Sequence, residues 1–136
     1  MNREILFRAK HIHAMDSNEH LNGRWVHGYL SDKNYINDKS LEGEFLVDEN
    51  TICQYSGRTD KNKKKIFEGD VVKDSAGVCG EVKFGLYTTD FADKHQGFYI
   101  EFPEESLYRK ELGYWENKVV VIGNIYDNPE LLGGTK

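Results

Sequence analysis

The chain has few cysteines and lacks any long apolar run. Its 136 residues include only Cys53 and Cys79, which form no CxxC pair. The first residues, MNREILFRAK, lack the apolar stretch of a signal peptide. No segment approaches the roughly 20 apolar residues that a membrane helix requires. These absences predict a soluble cytoplasmic protein with reduced thiols and no contact with a membrane.

Positive charge is also in short supply. The formal net charge is -5, from 23 acidic and 18 basic residues. Such a surface repels polyanions except where a local basic patch overrides the overall charge. Any contact with nucleic acid must therefore be local.

Recognisable catalytic motifs are missing as well. No Ser, Cys or Lys stands in a nucleophile motif, and neither GxGxxG nor GxxxxGK occurs. Carboxylates are plentiful, and their abundance alone identifies no acid–base pair. We therefore expect a protein that is not an enzyme and has no cofactor. The alternative, an enzyme, requires a pocket that gathers His27 or His95 with Glu101 or Asp70.

His11 and His13 form a candidate metal pair. Two positions apart, they would share one face of an extended segment, with Asp16 and His20 following in sequence. Structural zinc sites usually present closed sets of Cys and His, and no cysteine is near in sequence. The alternative is a solvated loop that carries histidines.

Aromatic residues are abundant, and they favour strands over helices. They make up 12% of the chain, with eight Tyr, seven Phe and two Trp. Alternating apolar and polar residues predict an opening strand over Arg3 to Lys10 and a second strand over Trp25 to Leu30. One short helix is predicted over Pro103 to Gly113, because proline comes early and Arg109 and Lys110 come late.

These patterns predict a mainly β fold in two parts. An N-terminal β-hairpin or sheet unit over residues 1–57 packs with a small C-terminal SH3-like β-barrel over residues 66–132. Residues 58–65 form a lysine-rich hairpin tip or a linker between the two units. The tail, residues 133–136, should fray.

The densest basic run of the chain lies between Tyr55 and Phe67. Its cations are Arg58, Lys61, Lys63, Lys64 and Lys65. Cations release counterions from phosphates and aromatic rings stack on bases, so these cations and Tyr55 are candidate nucleic-acid contacts. The alternative is a solvated hairpin tip, since lysine at a β edge prevents aggregation between strands.

Four separated motifs resemble one family, and they follow each other in the right order over nearly the whole chain. The family is the YopX family of small phage and prophage proteins, and the motifs are REILFRAK at 3–10, WVHG at 25–28, QYSGRTDKNKKKIFEGDVV at 54–72 and VIGNIYDNPEL at 121–131. The resemblance implies a mainly β protein that acts in the bacterial cytoplasm. It supplies no catalytic or binding residues.

Two positions depart from the family pattern, and both departures add positive charge. The family usually has Gly-Leu where this chain has Gly57-Arg58, and Asp-Lys-Asn-Gly where this chain has residues 60–63. In a two-residue Asn-Gly turn both residues have positive φ, which lysine adopts at a cost of about 1 kcal/mol. We therefore predict a wider turn over residues 60–64, or Asn62 alone in the left-handed region.

Beyond the basic run, Gly69 and Asp70 form the predicted structural turn. Glycine allows a sharp bend, and the Asp70 carboxylate can accept hydrogen bonds from backbone amides across it. For the whole chain we expect a non-catalytic phage accessory protein that binds an unknown macromolecule. The alternatives are a nucleic-acid-binding module that uses residues 58–65 and a protein–protein module that self-associates as a homo-oligomer.

Overall fold

The structure is a computed structural model that describes residues 6–12, 23–88, 93–103 and 108–133. The chain divides into two compact units, Met1–Tyr55 and Ser56–Lys136. Both units consist mainly of β-strands, which confirms the mainly β prediction. This division places the whole lysine-rich segment in the second unit.

The first unit is an antiparallel sheet in which the strand order is β4-β3-β2-β1-β5. Its strands are β1 (Phe7–Lys10), β2 (Trp25–Asp32), β3 (Tyr35–Asp38), β4 (Gly43–Leu46) and the start of β5 (Cys53–Thr59). The alternating residues of β1 and β2 explain the core, because Ala9 pairs with Val26 and both are fully buried. Ile36 and Val47 complete the buried cluster. The two strands predicted from alternation are thus present over Phe7–Lys10 and Trp25–Asp32, and residues 3–5 of the first prediction lie outside the described residues.

Gly28 in β2 lies where the backbone of β3 comes unusually close. A Cβ atom added to Gly28 would lie 1.8 Å from the carbonyl oxygen of Asn37. Real Cβ atoms do not approach an oxygen so closely, so no residue with a side chain fits without moving a strand. Glycine is therefore required for the pairing of β2 with β3.

The second unit holds a four-stranded antiparallel sheet with the order β10-β7-β8-β9. The strands of this sheet are β7 (Asp70–Lys73), β8 (Cys79–Thr88), β9 (Lys94–Glu101) and β10 (Val120–Asn124). The second unit also contains the end of β5 and β6 (Lys65–Phe67). Val72, Val82, Ile100 and Val119 are fully buried in its core. The outer strands β9 and β10 do not pair with each other among the described residues, so the predicted closed barrel is wrong. The SH3-like likeness stays a prediction.

Helices are few and short. They are α1 (Leu112–Trp115), α2 (Glu130–Gly133) and a 3-10 turn at Glu49–Thr51. None of the helices in the described ranges is long and apolar enough to cross a membrane.

The helix predicted over Pro103 to Gly113 is wrong over most of its described residues, and only Leu112 and Gly113, the first residues of α1, are helical. Residues 104–107 lie outside the described residues, and residues 108–110 are not helical. Ile100 in β9 donates its N–H to the Lys110 carbonyl at 2.8 Å, and Tyr99 forms a bridge with Glu111. Pairing with the edge of β9 therefore overrides the local helix signals. Residues 134–136 of the predicted tail also lie outside the described ranges.

The distal half of β8 carries exposed apolar side chains. Val82, Phe84 and Leu86 are two residues apart along the strand, so their side chains lie on the same face. Val82 is buried, whereas Phe84 is 47% exposed and Leu86 is 68% exposed. Phe84 packs on Phe98 of β9, with 4.9 Å between the ring centroids.

Candidate nucleic-acid interface

The basic run forms a tight hairpin tip between β5 and β6. Asp60 donates its N–H to the Lys64 carbonyl at 2.8 Å, and Lys63 donates its N–H to the Asp60 carbonyl at 3.0 Å. The loop therefore has three residues, Lys61 to Lys63, and Lys63 has a φ of 69°. The predicted wider turn is confirmed. Lys63 and not Asn62 is left-handed, as expected of the last residue of a three-residue hairpin loop.

A buried carboxylate organises this tip. Asp60 is only 1% exposed, and its Oδ1 accepts hydrogen bonds from the N–H groups of Asn62 at 2.8 Å and Lys64 at 2.9 Å. Its Oδ2 accepts a third bond, at 2.9 Å, from the N–H of Val121 in β10. The tip is thereby fixed to the second sheet. Sequence reasoning missed Asp60, although an aspartate that bonds an amide two residues later is a known turn signal.

The same loop occurs a second time in this unit. Asp74 donates its N–H to the Val78 carbonyl at 3.0 Å, and Gly77 donates its N–H to the Asp74 carbonyl at 3.1 Å. The Asp74 carboxylate accepts bonds from the N–H groups of Ala76 and Val78, both at 2.9 Å. Gly77, with a φ of 90°, occupies the position that Lys63 holds in the first loop. The chain thus places a lysine where its matching turn has a glycine.

Replacing Lys63 with glycine is expected to raise the free energy of unfolding by about 0.5–1 kcal/mol. The left-handed conformation costs a residue with a Cβ about 1–2 kcal/mol, and the greater freedom of glycine in the unfolded chain cancels part of the gain. Denaturation in urea measures the difference. Gly77→Lys should lower the free energy of unfolding by a similar amount, and Lys63→Gln should leave it unchanged. If Lys63→Gly were less stable than the unmodified protein, the backbone of Lys63 would not be strained as proposed.

The cations of the run are all on the surface. Lys61, Lys63, Lys64 and Lys65 are exposed, and no ion pair within the described residues involves Lys61, Lys63 or Lys64. Arg58 is exposed and pairs with Glu116 at 2.7 Å. The run is therefore a dense cluster of positive charge.

Tyr55, predicted to stack beside these cations, is instead buried and only 7% exposed. Phe67, the ring on the other side of the run, is also buried, with 4% exposed. Neither ring is on the surface with the lysines. Any aromatic contact with a ligand must come from elsewhere in the chain.

A distant segment brings such an aromatic residue to the hairpin. Asn117 donates its N–H to the Thr59 carbonyl at 3.2 Å, and Lys61 donates its N–H to the Val119 carbonyl at 2.8 Å. These bonds hold the end of α1 against the base of the hairpin. Tyr114 in α1 is 39% exposed. We call the combined surface the basic patch: Arg58, Lys61, Lys63, Lys64, Lys65, Arg109, Tyr114 and Lys118.

Carboxylates partly offset the charge at one end of the basic patch. Arg109 forms an ion pair with Glu111, and Arg58 forms one with Glu116. Burial alone would raise the pKa of Glu111, but a backbone hydrogen bond and the Arg109 guanidinium outweigh burial and lower this pKa. Glu111 therefore stays charged at neutral pH and offsets the charge of Arg109, whereas no ion pair among the described residues offsets Lys61, Lys63 or Lys64.

His11 packs inside the first unit. It is 6% exposed, and its Nδ1 lies 2.7 Å from the Leu46 carbonyl oxygen. Because a carbonyl only accepts, Nδ1 carries the proton of this bond. The ring edge meets the Phe45 ring, with 5.1 Å between centroids. His13 lies outside the described residues, and within the described part of the chain no three His, Cys, Asp or Glu side chains cluster as metal ligands.

Gly69 and Asp70 lie at the bend between β6 and β7. Gly69 has a φ of 89°. Asp70 is 1% exposed, and its Oδ2 accepts a hydrogen bond from the N–H of Phe67 at 2.7 Å. Glycine provides the bend, and the carboxylate caps the end of β6.

The residues named for an enzyme lie in different surroundings. A cavity of about 360 Å³ beside His27 is lined by Asp38 and Ser40, and neither Glu101 nor Asp70 lines it. Burial and the nearby Arg8 lower the pKa of His27, and Asp38 partly opposes them. A cleft of about 680 Å³ in the second unit is lined by Cys79, Glu81, Lys83, Glu101 and Leu131, and none of the histidines that the structure describes lines it.

Comparison with known proteins supports the resemblance seen in the four motifs. No curated protein matches the chain. The family model described as YopX protein matches residues 6–133, which include the hairpin, α1 and both sheets. The chain therefore belongs to the YopX protein family.

Proposed function

We propose that this protein is a non-catalytic phage or prophage accessory protein that binds nucleic acid through the basic patch in the cytoplasm of the bacterial host. The observation that carries the proposal is Lys63 at a φ of 69°, in a loop whose counterpart has Gly77. Backbone strain of this kind concentrates at functional sites. Lys63 has a strained backbone and is exposed at the hairpin tip, and this combination supports a role for its charge.

The arrangement of charge explains how an acidic protein can bind a polyanion. Residues 58–65 contain five cations and one carboxylate. That carboxylate, Asp60, is buried and accepts three backbone hydrogen bonds, whereas the lysines face the solvent. At about 0.1 M salt the Debye length is about 10 Å, so carboxylates farther away are largely screened. A phosphate chain at the tip therefore meets a locally positive surface.

Binding to DNA and RNA, single-stranded and duplex, tests the proposal when it is measured by fluorescence anisotropy across a salt series. We expect binding at about 50 mM salt and a linear fall of log K with log salt concentration. Removing three phosphate contacts should weaken binding at least about tenfold and reduce the slope by about 2. The variant that removes them is K61Q/K63Q/K64Q.

A matched control separates this effect from net charge. The triple variant K33Q/K39Q/K94Q removes the same charge from exposed lysines outside the basic patch. It should bind almost as the unmodified protein does. Absence of binding at low salt, or equal losses in the two triple variants, would overturn the proposed function.

A further inference from the structure

Tyr114 is an exposed ring that packs on a half-buried aromatic neighbour. Its ring meets Trp115 edge-on, with 4.9 Å between centroids and an interplanar angle of 88°. Trp115 in turn packs on Phe102 at 5.3 Å and on Tyr108 at 5.4 Å, and its Nε1 donates to the Arg109 carbonyl at 2.8 Å. Tyr114 therefore presents its ring in an orientation that the core of the second unit fixes.

Cations from separate parts of the chain surround this ring. The guanidinium carbon of Arg109 and the ammonium nitrogen of Lys118 each lie 4.8 Å from the ring centroid. Lys118 is held there because it also donates to the Tyr114 carbonyl at 2.9 Å. A Cβ atom added to Gly113 would lie 3.2 Å from the guanidinium carbon of Arg58, so Arg58 lies against the residue before Tyr114.

This combination distinguishes between kinds of nucleic acid. In a duplex, both faces of every internal base are covered by neighbouring bases, so a protein ring cannot stack on them without unstacking the duplex. In a single strand, base faces are open, and aromatic side chains beside cations are the usual contacts. A surface built only for duplex phosphates needs the lysines and has no use for the ring.

We propose that the ligand of the basic patch is single-stranded nucleic acid, with Tyr114 stacked on one base and the hairpin lysines on the adjoining phosphates. This inference rests on the proposed function. The phosphates attract Arg109 and Lys118 away from the ring, which opens its face to the base. The bond between Lys61 and Val119 connects the loop that carries the lysines to the segment that follows α1.

The test compares Tyr114→Ala, Tyr114→Leu and Tyr114→Phe on a single strand and on a duplex of the same length. Loss of one stacked base should weaken single-strand binding by about 5- to 100-fold in the Ala and Leu variants. The salt slope should not change, because no phosphate contact is lost. Tyr114→Phe should bind as the unmodified protein does, and duplex binding should be unaffected in all three variants.

Phe84→Ala is the matched control, because Phe84 is an exposed ring that packs on Phe98 and not on the basic patch. It should leave both affinities unchanged. Tyr114→Leu keeps an apolar side chain against Trp115, so it tests stacking even if Tyr114→Ala is poorly folded. Ultraviolet cross-linking of a bromouracil-substituted strand, mapped by mass spectrometry, should place the linked base on Tyr114.

The outcomes separate the inference from the proposed function. If K61Q/K63Q/K64Q loses binding while Tyr114→Ala and Tyr114→Leu bind single strands normally, the inference is overturned and the proposed function stands. If the duplex binds at least as tightly as the single strand, the inference is likewise overturned. If no nucleic acid binds at low salt, both are overturned.

Discussion

Replacing Asp60 with alanine is expected to lower the free energy of unfolding by about 3 kcal/mol. The carboxylate accepts hydrogen bonds from three backbone N–H groups, and each bond to a charged group contributes about 1.5–3 kcal/mol. The amides of Asn62 and Lys64 belong to exposed residues and can be hydrated in the variant. Val121 is half-buried, so the loss of the hydrogen bond from its N–H costs more than the loss of the other two.

Urea denaturation of two further variants shows whether the loss comes from these bonds. Asp60→Asn keeps one acceptor oxygen for the turn amides and loses the bond to Val121, so we expect about half of the effect. Asp48→Ala removes a carboxylate that accepts one hydrogen bond, from the N–H of Asn50 at 3.0 Å. This bond lies at the exposed start of the 3-10 turn. The expected cost of Asp48→Ala is about 1 kcal/mol. An Asp60→Ala variant no less stable than Asp48→Ala would refute this account of the hairpin.

Gly28→Ala is expected to destabilise the first unit by about 4 kcal/mol or more. The added Cβ would lie 1.8 Å from the Asn37 carbonyl oxygen and 2.8 Å from its carbonyl carbon. Both are backbone atoms of a paired strand, so no side-chain rotation relieves the clash. β3 must move away from β2, which breaks the pairs of Tyr29 with Asn37 and Leu30 with Ile36. The buried side chain of Ile36 then no longer packs in the core of the first unit.

Hydrogen exchange checks this prediction strand by strand. The amides of β3 and β4 should lose protection in Gly28→Ala. Gly43→Ala is the control on β4, because its added Cβ would meet only the Phe45 ring, at 3.8 Å, an ordinary contact. It should change the free energy of unfolding by less than about 0.5 kcal/mol. Unchanged protection of β3 in Gly28→Ala would show that β2 and β3 stay paired with a Cβ at position 28, which would contradict the prediction.

The parts of the fold that are local in sequence could be predicted. Alternation over Arg3 to Lys10 and Trp25 to Leu30 identified β1 and β2, because the pattern of apolar and polar residues lies within each strand. The wider turn over residues 60–64 was predicted from the cost of placing a lysine at positive φ, but the wider turn does not remove that cost, since Lys63 has a φ of 69°. The helix over Pro103 to Gly113 failed except at Leu112 and Gly113, because the N–H of Ile100 on the edge of β9 needs an acceptor, and the Lys110 carbonyl provides it.

The open form of the second sheet and three of the eight residues of the basic patch could not be predicted, because both depend on contacts far apart in sequence. No pattern within a short segment of the sequence indicates whether β9 pairs with β10. The hairpin cations were visible because they are adjacent in sequence, whereas Tyr114 and Lys118 join them only through backbone bonds from residues 117 and 119. Tyr55 was assigned to the surface because alternation does not say which face of β5 is covered.

The Asp60 carboxylate also bears on the entropy of binding. A lysine-rich tail would lose backbone freedom when a ligand ordered it, at roughly 1–2 kcal/mol per residue. Here the amides of Asn62, Lys64 and Val121 hold the backbone of the tip before any ligand arrives. Removing Asp60 therefore adds net positive charge and yet should weaken binding. That result would show that preorganisation, more than the number of charges, sets the affinity of the proposed binding.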